Sequence, residues 1–261
     1  MRRGTRQDLY SRVTAGAESW TDPKALMALL VGVLSLCAFY VLEQRVSDPL
    51  VPMGLLRRRE ITWGNVAGVV AFATETALVF LLTLYFQEVL GFTPLEAGLS
   101  FSVLGAGTVL GGILAPRFIA LSGAKAAIVG GLSVQAVATA PLALLNGSSD
   151  LMLLVLLSTF LGGVANLVTI VGFMVAVTGG VSHHEQGLVT GLATMSQQIG
   201  ITMGIPVMSA IATTAMGVAG AETSAGVLGG VRVAIAVDVF VMLACAVLVG
   251  LFHRPTSRRG G

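Results

Sequence analysis

The sequence predicts an all-α integral membrane protein with seven transmembrane helices. Hydrophobic residues make up 55% of the chain and charged residues only 11%, against about 25% charged in a soluble domain, and mean hydropathy is +0.89. The apolar residues gather into seven runs, each long enough to cross a hydrocarbon core about 30 Å thick. The 33 glycines suit membrane helices, where small residues let backbones approach closely.

Residues 1–24, MRRGTRQDLYSRVTAGAESWTDPK, form a polar tail with no span. Residues 25–60 hold an accessory first span (25–42) and a linker, EQRVSDPLVPMGLLRRRE, in which Pro49 and Pro52 break any helix. Residues 61–252 form a six-helix bundle. Its first helix, 61–86, is followed by a short polar hairpin at 87–98. Spans over 98–120, 125–145 (with Pro141) and 151–178 come next, the last two separated by the turn NGSSD. The 151–178 run exceeds what a bilayer needs and is expected to tilt or protrude. After the loop GGVSHHEQG come a span over 188–216, a small, flexible Gly/Ala/Ser loop over 217–230, and a last span over 231–252. Residues 253–261 form a basic tail.

Lysine and arginine set the expected orientation. One side holds Arg45, Arg57, Arg58, Arg59, Arg117, Lys125, Arg254, Arg258 and Arg259. The other holds Arg232 and the five cations of the N-terminal tail, which complete the total of 15. The loops therefore place the Arg57–Arg59 side and the C-terminus in the cytoplasm, against the pull of the basic N-terminal tail.

Of the 13 acids, only Glu75 and Asp238 fall inside spans. A charged residue at the centre of a membrane helix costs about 2.5–3.5 kcal/mol on insertion scales, so Glu75 reads as functional. Gly64, Gly68 and Ala71 precede it at helical spacing and give it a face made for packing or for lining a cavity. The plainer alternative is an acid that only bonds a neighbouring helix. Asp238 lies seven residues into the expected last span, about 10 Å deep. It is a candidate for proton coupling, for pairing with Arg232, or for reaching the interface. Thr190, Thr194, Gln198 and Thr202 recur every four residues, with Gln197 beside them. Such a stripe suits adaptable contacts to small molecules over an apolar wall, or interhelical hydrogen bonding. Asn166 beside Gly162 and Gly163 reads as packing or as part of the same pathway.

The run LYFQEVLGFTPLEAGL (84–99) resembles the helix-to-hairpin segment that opens the C-terminal half of fourteen-helix drug:proton antiporters of the major facilitator superfamily. Other segments carry the resemblance across residues 19–255. Trp20 and Pro23 resemble the outer loop before the family's eighth helix, and Glu43, Asp48-Pro49-Leu50 and Arg57–Arg59 its inner linker between the eighth and ninth. GGILAPRFIALSGAK (111–125) is similar to the second copy of the signature inner loop, with Gly112, Arg117, Gly123 and Lys125 at its glycine and basic positions. Pro116 stands where the first copy carries an acid, which removes that acid's charge-relay role here. Gln198-Ile199-Gly200 followed by Gly204 resembles a helix of the family in which a basic residue commonly precedes the glutamine; here it is Gln197.

The resemblance implies the eighth to fourteenth helices: one six-helix major-facilitator half-bundle with a preceding accessory helix. It implies efflux of a hydrophobic or cationic drug in exchange for protons, with the proton gradient as driving force, no cofactor, and a separate N-terminal half-transporter as partner. The alternative is a non-transporting remnant or a regulatory partner of another carrier.

Several classes are disfavoured. A net charge of +2 gives no argument for nucleic acid. Cys37 and Cys245 sit in apolar runs and read as small hydrophobes. His183-His184-Glu185 lies in a loop without fixed metal geometry. No G-x-x-x-x-G-K-[ST] or G-x-S-x-G motif occurs, and no catalytic constellation argues for an enzyme. No short apolar stretch with a cleavage site follows the basic start, so no secretory signal is expected.

Overall fold

The computed structural model describes positions 27, 30, 31, 34, 35 and 38 and residues 58–179, 181–219 and 223–252. The chain divides into two units, Met1–Met53 and Gly54–Gly261. In the first, Met27, Leu30, Val31, Leu34, Ser35 and Ala38 are helical and spaced along one helix face. They fall in the expected accessory span. The tail at 1–24, the linker through Arg57 and the tail at 253–261 lie outside the described residues.

In the second unit, every regular element among the described residues is helical, and six helices are long and apolar enough to cross a membrane. The first, α1 (Arg59–Leu84), runs on into a π turn at Tyr85–Val89. That end is clamped by aromatic packing: Phe86 stacks on Phe92 and meets Phe101 edge-on, with ring centroids 5.8 and 5.6 Å apart. The Tyr85 hydroxyl donates to the carbonyls of Asn146 and Ser148, at 3.1 and 3.3 Å. The short α2 (Pro94–Ser100) starts on a capping box. Thr93 accepts from the Glu96 amide, and the Glu96 carboxylate accepts from the Thr93 amide at 2.7 Å. The polar hairpin expected over 87–98 is therefore shorter, because helical turns claim both its ends.

α3 (Ser102–Ser122) and α4 (Ala124–Thr139) are joined by Gly123 alone, at φ +86°. The segment 111–125 is thus helix on both sides of Gly123, with Pro116 inside α3, and the inner-loop motif narrows to a one-residue turn. α4 tightens into a 3₁₀ turn at Ala140–Leu144, and α5 spans Met152–Thr178. α6 (Gln186–Ala219) and α7 (Ser224–Phe252) are both longer than the sequence suggests. The expected loop at 217–230 is mostly helix. Its glycines read as breakers by propensity, but Gly230 sits 2.5 Å, in projected Cβ distance, from the Ala212 carbonyl. There a small residue allows close helix packing, which outweighs the propensity cost.

α5 packs along α3 and α4, α6 along α1, and α7 against α1, α4 and α6. Trp63 at the start of α1 stacks on Phe252 at the end of α7, with centroids 5.2 Å apart, so these two helices run antiparallel from a common end. Two apolar cores fill the bundle. One holds Leu78, Leu81, Tyr85, Leu142, Met208 and Ile235. The other holds Ile61, Ile128, Leu132, Phe173, Met242 and Val249. On each of α1, α4, α5 and α7 the residues between these cores include a polar side chain, and those side chains form the layer described next.

Candidate functional site

The layer is built from one polar residue or pair per helix. α1 brings Glu75, α4 brings Gln135 and Thr139, α5 brings Asn166, and α7 brings Asp238. Gln135, Thr139 and Asp238 are fully buried and Asn166 nearly so, while Glu75 is half-buried. Buried polar groups in a bundle interior need partners, and most of these find each other. The Gln135 Nε2 donates to Glu75 Oε2 over a long 3.4 Å. The Asn166 Nδ2 donates to Gln135 Oε1 at 3.4 Å and to the backbone carbonyl of Ala71 at 3.0 Å. The chain of bonds thus leaves α1 at Glu75, passes through α4 and α5, and returns to α1 one turn earlier.

Asp238 differs from its neighbours. Neither carboxylate oxygen has a hydrogen-bond partner, and neither does the Thr139 hydroxyl. The sequence alone puts Asp238 shallow, near Arg232. Because α7 begins at Ser224, Asp238 is its midpoint, about 21 Å along the axis. The suggested pairing with Arg232 is also replaced, because the Arg232 Nε donates to the Ala143 carbonyl at 2.9 Å.

The small face ahead of Glu75 is used for packing. A Cβ on Gly64 would meet Val177 at 2.6 Å, and one on Gly68 would meet the Phe173 ring at 2.8 Å. Gln135 is not singled out by the sequence reading. Its signal is present, as a carboxamide in the middle of an apolar span, the same signal that marks Asn166.

On α6, Thr194 and Gln198 are exposed and Gln197 is half-buried. Thr190 and Thr194 donate to the carbonyls one turn back, at 2.8 and 2.9 Å. The opposite face carries Gly200 and Gly204, which press on the α1 backbone at Val69 and Ala73. Gln198 is thus turned away from α1, whereas Glu75 faces the interior. Between α1 and α6 an open apolar groove of about 570 Å³ is lined by Ile61, Asn65, Val69, Leu192 and Ile199, and Ser196 donates to Asn65 Oδ1 across it at 2.7 Å.

The motif residues Gly112, Arg117, Gly123 and Lys125 do not join the polar layer. Gly112 lets α3 approach Leu167 on α5, to a projected 3.0 Å. Arg117 is exposed, Lys125 is half-buried in the first turn of α4, and Gly123 makes the turn between them. His183 and His184 are exposed, and among the described residues no group of three or more His, Cys, Asp or Glu could hold a metal ion.

Six membrane-length helices thus enclose an interior layer of acids and carboxamides. Residues 18–205 match the model of the Major Facilitator Superfamily, and the chain belongs to that family. Among curated proteins it is 32% identical to the puromycin resistance protein pur8 of Streptomyces alboniger, over 90% of this chain and 49% of that protein. It is 31% identical to the cephamycin export protein CmcT of Amycolatopsis lactamdurans, over 88% and 47%. It is 27% identical to the lincomycin resistance protein LmrB of Listeria monocytogenes, over 95% and 54%. The chain therefore spans about half the length of these relatives.

Proposed function

We propose that this chain is the C-terminal half of a proton-coupled drug efflux transporter, corresponding to the eighth to fourteenth helices of a fourteen-helix antiporter, and that it exports drugs only together with a separate N-terminal half. The observation that carries the reading is the polar layer: an acid, Glu75, tethered through Gln135 and Asn166 between two apolar cores. The relatives' names, which speak of antibiotic resistance and export, supply the substrate class. The pairing of two bundles about one site in carriers of this kind motivates the second half.

In this mechanism two helical bundles rock about a site near the bilayer midplane. The exposed face of α6, with Gln198 and Thr194 set among Met195 and Ile199, offers adaptable hydrogen bonds on an apolar wall to a hydrophobic or cationic drug. Glu75 exchanges a proton with water when its side of the cavity opens. Its change of charge in a low-dielectric interior sets the affinity for a cationic substrate. The chain needs no cofactor, because the proton gradient supplies the work. Arg117 and Lys125, with the ends of α1 and α7 marked by Trp63 and Phe252, lie on the cytoplasmic side in this reading, as does the C-terminus.

The test is drug export from cells or everted vesicles expressing this chain alone, with a matching N-terminal half, and with that half plus Glu75→Gln. Export is expected only from the pair and is expected to collapse with Glu75→Gln while insertion is unchanged. Export by the isolated monomer would overturn the half-transporter reading, and undiminished export by the Glu75→Gln pair would make the acid structural. A cytoplasm-active reporter fused after Gly261 is expected to be active; activity from a periplasmic reporter instead would reverse the orientation.

A further inference from the structure

We propose that Glu75 and Asp238 act as one proton-binding pair at mid-depth in the bundle, with Asp238 as its water-excluded member. This rests on the transport reading above and deepens its proton site.

The geometry brings the two acids level. α1 and α7 are antiparallel and pinned together at Trp63 and Phe252. From that pin Glu75 is 12 residues along α1 and Asp238 is 14 residues back along α7, or about 18 and 21 Å at 1.5 Å per residue. The helices pack directly on one another.

The two environments differ in a useful way. Glu75 is half-buried and holds the Gln135 amide, whereas Asp238 is fully buried with both oxygens unpartnered. An isolated buried carboxylate without a donor is among the most costly arrangements in a protein interior, so it persists where a cation or a proton completes it.

Among the described residues, no other charge is placed to complete it. The elements packed on α7 bring Arg59 and Glu60 in the first turn of α1, Tyr85 and Glu88 in the π turn, and Lys125 in the first turn of α4, and α7 itself carries Cys245 two turns from Asp238. Those on α1, the π turn and α4 lie toward helix ends. α5, α6 and the 3₁₀ turn at Ala140–Leu144 bring no titratable group, and Arg232 on α7 itself is bonded to Ala143. The charge level with Asp238, on a helix packed against its own, is therefore Glu75, and a proton held between two acids at one depth belongs to the pair.

The experiment titrates the full chain in lipid nanodiscs and follows the carboxyl stretching bands by infrared difference spectroscopy, in the wild type, Glu75→Gln, Asp238→Asn and Asp238→Glu. Each neutral substitution removes one titrating band. It is expected to move the midpoint of the remaining band by about 1 pH unit or more, because one carboxylate no longer opposes ionisation of the other. Asp238→Glu is expected to restore two interacting steps, which separates loss of the acid from loss of fold. A Glu75 midpoint that is the same in the wild type and in a folded Asp238→Asn variant would overturn the pair.

The titration does not depend on pumping. Coupled bands without export by the reconstituted transporter would leave the pair standing and remove the transport reading. Export that needs Glu75 and ignores Asp238→Asn would do the reverse.

Discussion

Replacing Gly200 by alanine tests the closeness of α1 and α6, on which the position of Glu75 depends. A Cβ at Gly200 would stand 2.5 Å from the Val69 carbonyl oxygen, 3.0 Å from Phe72 Cβ and 3.2 Å from Ala73 N. Two of these partners are backbone atoms, which no rotamer change can move aside. α6 must therefore retreat by about half an ångström, which forfeits a quarter or more of the dispersion attraction across the contact. The expected cost is about 1–3 kcal/mol, the range for overpacking. At Gly204 the new methyl would overlap the Ala73 carbonyl and approach Thr76 Oγ1 at 2.6 Å, so Gly204→Ala is expected to cost a similar amount. One retreat of α6 relieves both clashes, so the double variant should cost clearly less than the two singles added. Gly191, on the same helix with nothing within 4 Å of a projected Cβ, is the control: Gly191→Ala is expected to stabilise by about 0.4–1 kcal/mol. Equilibrium unfolding in mixed micelles, followed by tryptophan fluorescence, measures all four. If Gly200→Ala is as benign as Gly191→Ala, the backbones are not in contact and the reasoning fails.

Three further outcomes follow from the same physics. Asn166→Leu and Gln135→Leu, combined in a double-mutant cycle by the same unfolding assay, should show a coupling of about 0.6–1.7 kcal/mol, the range for hydrogen bonds between membrane helices. Gly123→Ala should destabilise by about 1–3 kcal/mol, because φ +86° with ψ 163° is a backbone region open essentially to glycine, and the melting temperature of the variant checks it. Thr93→Ala removes the cap of α2 at a cost of about 0.5–2 kcal/mol, and faster hydrogen exchange at the Glu96 amide is its signature.

The sequence carried the membrane class, the six apolar helices of the main bundle and the placement of both acids within spans, because hydropathy over a bilayer length is a strong signal. Depth along a helix was less legible. Asp238 reads as shallow because 217–230 has the composition of a loop, yet seven of those residues (224–230) open α7. Glycine propensity is measured where water competes for the backbone; in this interface Gly230 is held against Ala212 and Met216 by packing. The glycines of the inner-loop motif at 111–125 have a related explanation. Gly111 and Gly112 serve the approach of α3 to α5, and only Gly123 has a turn conformation. Gln135 escapes notice because its meaning comes from Glu75 and Asn166, which are 60 and 31 residues away in sequence.

Packing and chemistry are not separable in this bundle. The α1 residues that Gly204 touches, Ala73 and Thr76, flank Glu75 on either side. A displacement of α6 is therefore delivered to the turn of α1 that carries the acid. The turn before it receives the Asn166 bond at the Ala71 carbonyl, so α5 grips α1 from another side. Glu75 is thus held by three neighbours at once: through α4 by its own side chain, through α5 by the backbone one turn earlier, and through α6 by the two glycines. A substitution at any of those supports changes the acid's surroundings as well as the stability of the fold, and its effect on transport could not be assigned to either. Glu75→Gln leaves every one of those supports in place and removes the ability to carry a proton, together with the charge that opposes ionisation of Asp238. That isolation makes the isosteric change at Glu75, and not a helix-packing variant, the substitution on which the proton-coupling reading stands.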